Sequence, residues 1–243
     1  MGKLIFSVDV EPDIHKNTFK SIKEGLPVFE KLCDKYKIKP VLFITGNSIK
    51  PNASLFKRLN KKGWELSLHG YSHRRFDDLS LQEKEKELID SIKVFKKYLG
   101  IRPRGFRAPQ HSIDNDTLDL LEKHGFEYDS SYTPLNLAQL FFFPNKIFLW
   151  FKLFFSPVNP YKIRKNLVEM PCSAFFIPCV SLSFRVLPKP FTLAYVKLLK
   201  LFIKKPVFYA HSWDFIALPD SKVDRMFPHT KLLDKLAYIM ERE

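Results

Sequence analysis

Asp9 and Glu11 stand two residues apart in SVDVEPD, where the apolar run Leu4–Val8 ends. In an extended chain, residues i and i+2 project to one face. Two carboxylates therefore converge at a strand end, the place where α/β folds put active sites; the competing reading is an acidic turn before a helix. His69 and His73, in HGYSH, follow the strand-like run Glu65–His69. Their four-residue spacing, in a helical turn, puts both imidazoles on one side, a common arrangement for zinc-type metals. Two histidines and one carboxylate make a three-ligand site with a position open to water, as in catalytic metal centres. Glu11, His69 and His73 supply that set, and Asp13 is the other carboxylate that could complete it.

Three more signals stand at strand ends. Arg107, in GFRAPQH, would hold a nearby carboxylate ionised by bidentate contact, or is a solvated charge on a basic protein. His211 closes the apolar VFYAH and suits a general acid, or is a core histidine bonded to backbone. Asp129, in FEYDSSY, could orient His211 as carboxylates orient catalytic imidazoles, or cap a turn.

These residues need a scaffold that brings strand ends together. Apolar runs at Leu4–Val8, Val41–Thr45, Glu65–His69, Gly105–Ala108 and Pro206–His211 alternate with helical patterns at Thr18–Tyr36, Ser54–Lys62, Ser80 to Gly100, and Asp114–His124 before Gly125. Ser80 with Glu83 three residues on reads as a capping box. Such alternation predicts a parallel α/β sheet or barrel. A tally near seven strands favours the barrel, as one domain over residues 1–243.

The 243 residues, 45% hydrophobic and 27% charged, exclude a disordered or fibrous chain. Three cysteines cannot form a disulfide framework. Met1-Gly2-Lys3 runs straight into a strand rather than an apolar signal core, so the expected address is cytoplasmic. A net charge of +14 favours anionic partners, but no nucleic-acid-binding module is recognisable, so nucleic acid is not an expected partner. The stretch Leu137–Lys205 breaks the alternation, and about 137–166 is expected to be a membrane-contacting insertion. LFFFPNKIFLWFKLFF carries seven Phe and one Trp, interrupted by Pro144, Lys146 and Lys152. That composition suits an interfacial segment rather than a spanning helix. Thr192–Lys205 sets Lys197, Lys200 and Lys204 opposite Leu198, Leu199, Leu201, Phe202 and Ile203, a basic amphipathic pattern. The alternative for both is packing into the core.

The order of the signals (acidic pair, HxxxH, RxP, Asp, then His after an apolar strand) resembles the polysaccharide deacetylase family, also called the NodB homology domain or carbohydrate esterase family 4, over nearly the whole chain. The resemblance implies a deformed (β/α) barrel that binds a divalent metal and removes N-acyl groups from amino sugars. Asp9 then corresponds to the catalytic base, Arg107 to the arginine that holds it, His69 and His73 to the metal histidines, and Asp129 to the aspartate paired with the catalytic histidine, His211. Zinc is the foremost metal, with cobalt, nickel, manganese or iron as alternatives. Pro109, Tyr132 and Trp213 are the candidate substrate contacts. The family's first motif commonly reads TFDDGP; here Val10 replaces the second aspartate, which leaves Glu11 as the metal carboxylate. The third motif ends in Gln110-His111 rather than Tyr-Gly. The DVE…EGLPVFEKL spacing is similar to the branch that deformylates an aminoarabinose carried on polyprenyl phosphate. The expected function is thus metal-dependent removal of an acetyl or formyl group from a lipid-linked or glycan-precursor amino sugar, at the inner face of an anionic membrane. The alternative is an inactive barrel that serves as a membrane- or glycan-binding scaffold.

Overall fold

The computed structural model describes residues 2–13, 18–138, 147–217 and 222–243, the side chains of 147–150 and 222–223 excepted. Its organising element is an eight-stranded sheet built on β1 (Ile5–Val10), β2 (Val41–Ile44), β3 (Glu65–Leu68), β4 (Gly105–Phe106), β5 (Tyr128–Asp129), β6 (Tyr161–Lys162), β7 (Val168–Glu169) and, after the small hairpin of β8 (Ala174–Phe175) and β9 (Ile177–Pro178), β10 (Val207–His211). The order is β10-β1-β2-β3-β4-β5-β7-β6. Seven of these strands run parallel and β6 is antiparallel to β7. The run VLFI at β2 is apolar on both faces because helices cover a parallel sheet outside and side chains fill it inside.

The sheet curls towards closure without a continuous ladder. Residues 170–180 bridge the gap between β5 and β10: the Met170 and Cys172 amides donate to Asp129 and Tyr132, the Ser173 amide to Val207, and the Tyr209 amide to Cys179. The expected barrel of about seven parallel strands is therefore present, with an irregular seam. Within residues 137–166, Tyr161–Lys162 forms the antiparallel edge strand beside β7.

The main helices are α1 (Leu26–Tyr36), α2 (Ala53–Lys61), α3 (Leu81–Val94), α4 (Asn115–Lys123), α5 (Ile147–Phe154), α6 (Ser181–Val186), α7 (Lys189–Phe202) and α8 (His229–Met240). The Ser80–Glu83 capping box is formed at the start of α3, and α4 stops before Gly125, whose φ of +68° suits glycine. Phe29 of α1 stacks on Phe215 at 4.4 Å, and Trp64 meets Phe29 edge-on. The helix expected at Thr192–Lys205 begins earlier, at Lys189, with Pro190 in its first turn. Its face of Thr192, Tyr195, Val196 and Leu199 is buried, and Ile203 beyond its end is buried too, so part of the amphipathic pattern is core packing. Phe191, Leu201 and Phe202 remain exposed. Of the segment expected at the membrane, 139–146 and the side chains of 147–150, Trp150 included, lie outside the described residues.

Candidate active site

Register explains why the strand-end residues meet. Asp9 is the cross-strand partner of both His211 on β10 and Phe43 on β2. Arg107 follows the last residue of β4 and is fully buried. Its guanidinium donates to Asp9 Oδ1 at 2.6 Å, to Ser7 Oγ and Ser130 Oγ at 3.1 Å, and to the Ser130 carbonyl at 3.1 Å. It also lies 4.0 Å over the Phe43 ring. The contact with Asp9 is monodentate, not the expected bidentate one. Burial alone would raise the Asp9 carboxyl, but Arg107 and the imidazoles of His69, His211 and His111 hold it at about 2. Arg107 keeps a buried carboxylate ionised.

Glu11, His69 and His73 come together with ligand atoms all within 4.8 Å of one another. His69 Nδ1 donates to the Arg107 carbonyl at 2.8 Å, which leaves its Nε2 lone pair for the cluster. Nε2 lies 3.9 Å from Asp9 Oδ2, and His73 Nε2 meets Glu11 Oε2. Two imidazoles and a buried carboxylate, one imidazole fixed in the ligating tautomer, are a donor set that fits a zinc-type divalent cation. Asp13 takes no part: its carboxylate accepts the amides of Lys20 and Ser21 at 2.7 and 2.9 Å and anchors the approach to α1.

HGYSH is not the helical turn its spacing suggested. Gly70 and His73 both have left-handed backbone, φ 69° and 62°, and the chain loops out between the two histidines. A Cβ at Gly70 would meet the Phe76 ring at 3.1 Å and Pro109 at 3.3 Å. Glu87 of α3 pins this loop, accepting from the Tyr71 and Ser72 amides at 2.7 and 3.0 Å and from Ser72 Oγ at 2.6 Å. Nothing in the charged run EKEKELID distinguishes Glu87 from Glu83 and Glu85.

His211 does not pair with Asp129. Its partner is Asp214, whose Oδ2 lies 3.5 Å from Nδ1 and accepts the His211 amide at 2.8 Å. Burial would lower His211, but Asp214, Glu11 and Asp9 outweigh it and raise the imidazole above its ordinary value. Nε2 faces Glu11 Oε1 at 4.0 Å, and Trp213 stacks on the ring at 4.3 Å. Asp129 faces elsewhere because its register partner is Glu169 on β7, and both are fully buried. Ser131 Oγ donates to Asp129 at 2.7 Å and the Tyr132 amide to Glu169 Oε1 at 3.0 Å. Burial and the neighbouring Asp129 charge push Glu169 well above the carboxylate range, and burial raises Asp129 as well, so the pair favours keeping a proton. Tyr132 is buried beside this pair rather than lining an open cleft, while Pro109 packs under the rim at Gly70. Asp214 was within reach of sequence reasoning as an acid three residues after a strand-end histidine; Glu169 carried no such signal.

The fold is that of a NodB-like (β/α) barrel. The family model described as polysaccharide deacetylase matches residues 13–128. A peptidoglycan deacetylase of Helicobacter pylori is 34% identical over 123 residues, which are 51% of this chain and 42% of that protein; the match spans under half of that relative. The crystal structure of a putative polysaccharide deacetylase from Mycobacterium smegmatis has a TM-score of 0.68 at 17% identity, covering 98% of this chain and 83% of that one. PuuE allantoinase also scores 0.68, at 14% identity, covering 99% and 84%. Likeness at that level speaks for the fold, and the same fold carries different chemistries.

Proposed function

We propose that this protein is a metal-dependent amidohydrolase that removes an acetyl or formyl group from an amino sugar. The observation that carries the reading is the Glu11–His69–His73 cluster placed between an ionised Asp9 and His211. Asp9, kept deprotonated by Arg107, takes the proton of the water that attacks the amide carbonyl. His211, held by Asp214, protonates the departing amine. A divalent cation, zinc foremost, held by Glu11, His69 and His73 supplies Lewis acidity at the carbonyl.

The substrate we propose is a lipid-linked amino sugar met at an anionic membrane, on its cytoplasmic face. Exposed Phe151, Phe155, Phe176 and Phe202 support a peripheral contact, as does the +14 charge. The three free cysteines accord with a reducing compartment. Among the described residues no helix is long and apolar enough to cross a membrane.

The test is acetate or formate release from N-acetyl- and N-formyl-amino sugars by protein stripped with a chelator and then reloaded with zinc, cobalt, nickel, manganese or iron, beside His73→Ala. Activity that vanishes on stripping, returns on reloading and is missing from the variant supports the reading. Undiminished release by stripped protein defeats it, and tight metal binding without turnover on any probe would favour a binding scaffold.

A further inference from the structure

The loop after β4 carries a side chain that this scheme leaves unused. Gln110 and His111 both have left-handed backbone, φ 53° and 55°, a conformation that only glycine adopts without steric cost. Two such residues in succession persist only where their surroundings fix them. Here the His111 amide donates to the Ala108 carbonyl at 3.0 Å, and Nδ1 donates to the Ser131 carbonyl at 2.9 Å. The ring packs edge-on against Tyr209 with centroids 5.3 Å apart. With the proton on Nδ1, Nε2 of the neutral ring can only accept. The ring is half-buried, and among the described residues Nε2 has no hydrogen-bond partner. Burial and the Arg107 guanidinium hold this imidazole at about 4, so it stays uncharged at neutral pH.

Resting on the hydrolase reading above, we propose that His111 is a specificity-determining residue whose bare Nε2 accepts a hydrogen bond from a hydroxyl of the sugar that carries the scissile amide. Tyr209, against which His111 packs, has its ring 5.6 Å from that of His211 and 5.3 Å from the Arg107 guanidinium, which puts the acceptor on the side of the barrel end that holds the proposed acid and the arginine of the proposed base. A neutral acceptor there takes a hydroxyl donor without competing with Arg107 for Asp9. A sugar lacking that hydroxyl leaves Nε2 dehydrated and unpaired, the situation in which a polar site discriminates most strongly.

The probes are the methyl glycoside of N-acetylglucosamine and its mono-deoxy analogues, tested with wild type, His111→Phe and His111→Asn. Phenylalanine keeps the contact with Tyr209 and removes the acceptor; asparagine tolerates the left-handed backbone and carries the test if the first variant does not fold. The expected result is a loss of about ten-fold or more in kcat/KM on the full sugar, the scale of one hydrogen bond, and loss of discrimination against one deoxy analogue. Independently of activity, 15N NMR of the imidazoles should show His111 neutral at pH 6 with its proton on Nδ1. A proton on Nε2, or a cationic ring at that pH, overturns the proposal whatever the enzyme does. Unchanged kcat/KM and unchanged discrimination in a folded variant overturn the recognition role alone. A wild type that releases acetate from none of the probes, with the tautomer as expected, overturns the recognition role together with hydrolysis of such sugars.

Discussion

Asp214 Oδ2 accepts the His211 amide at 2.8 Å and stands 3.5 Å from the same residue's Nδ1. The carboxylate is itself gripped from behind: Arg185 donates to Asp214 Oδ1 at 2.9 Å and to its carbonyl at 3.0 Å, and reaches Asp224 at 2.9 Å. The orienting acid for His211 is thus a local i+3 residue anchored by a buried arginine. Asp214→Asn should keep the fold and the metal content while lowering kcat by roughly 10²–10⁴, the usual worth of an oriented general acid. Steady-state amine release beside elemental analysis checks this. A near-normal rate would show that His211 needs no such partner.

Arg107 is a structural residue as well as a member of the proposed site. Its removal leaves Asp9 buried without its cation and takes one accepted hydrogen bond from each of Ser7 and Ser130, whose hydroxyls still donate to the Phe208 and Met170 carbonyls. Breaking a buried pair from one side costs about 3–5 kcal/mol, so Arg107→Ala should lower the urea midpoint substantially as well as the rate. Chemical denaturation decides it, and an unchanged midpoint would mean that water or a rotated Ser130 replaces the guanidinium.

Much of this site was legible because a parallel sheet converts position in sequence into position in space. Asp9, His69, Arg107 and His211 sit at or just past the ends of β1, β3, β4 and β10, and shared register does the rest. Pairing was not legible. Asp129 and Asp214 are both acids near strand ends, and only the register of β5 with β7 shows that Asp129 faces Glu169. Strands of two residues, as β4, β5 and β7 are, give no periodicity to read. The left-handed backbone at His73 and His111 is likewise invisible, since histidine carries no preference for it comparable to that of glycine.

The Asp129–Glu169 pair makes stability depend on pH in a definite direction. Glu169 is raised well above its ordinary value by burial and by Asp129, so the folded state keeps a proton that the unfolded chain releases. The contribution is complete below the unfolded pKa, about 4.3 for Glu. It declines as pH rises towards the folded value, by up to about 1.4 kcal/mol per pH unit for one proton. Glu169→Gln mimics the protonated form, so it should flatten the fall in the urea midpoint between mildly acidic and alkaline pH. An identical pH dependence in the variant would mean that Glu169 is ionised in the folded protein.

Membrane attachment can be separated from core packing because two of its candidate side chains are well exposed. Phe151 is 49% and Phe155 74% accessible at the end of α5, with their rings stacked at 6.4 Å. The neighbouring Phe154 carbonyl accepts the Leu135 amide, and the Leu135 carbonyl accepts that of Phe176. This chain of contacts ties the end of α5 to the hairpin that displays Phe176 and Ile177. Phe175 of the same hairpin stacks on exposed Phe202 at 5.8 Å. Lysines near such a surface add roughly 1 kcal/mol each against anionic lipid, screened over about 8 Å at physiological salt. Salt should therefore weaken sedimentation with phosphatidylglycerol vesicles without abolishing it, because the aromatic contribution is not screened. Phe151→Asp with Phe155→Asp should abolish sedimentation while circular dichroism and the thermal midpoint stay close to wild type, as expected of exposed positions. Unfolding of the double variant would assign both rings to the core. A folded variant that still sediments would move the contact to the Phe191 and Leu201 side of α7.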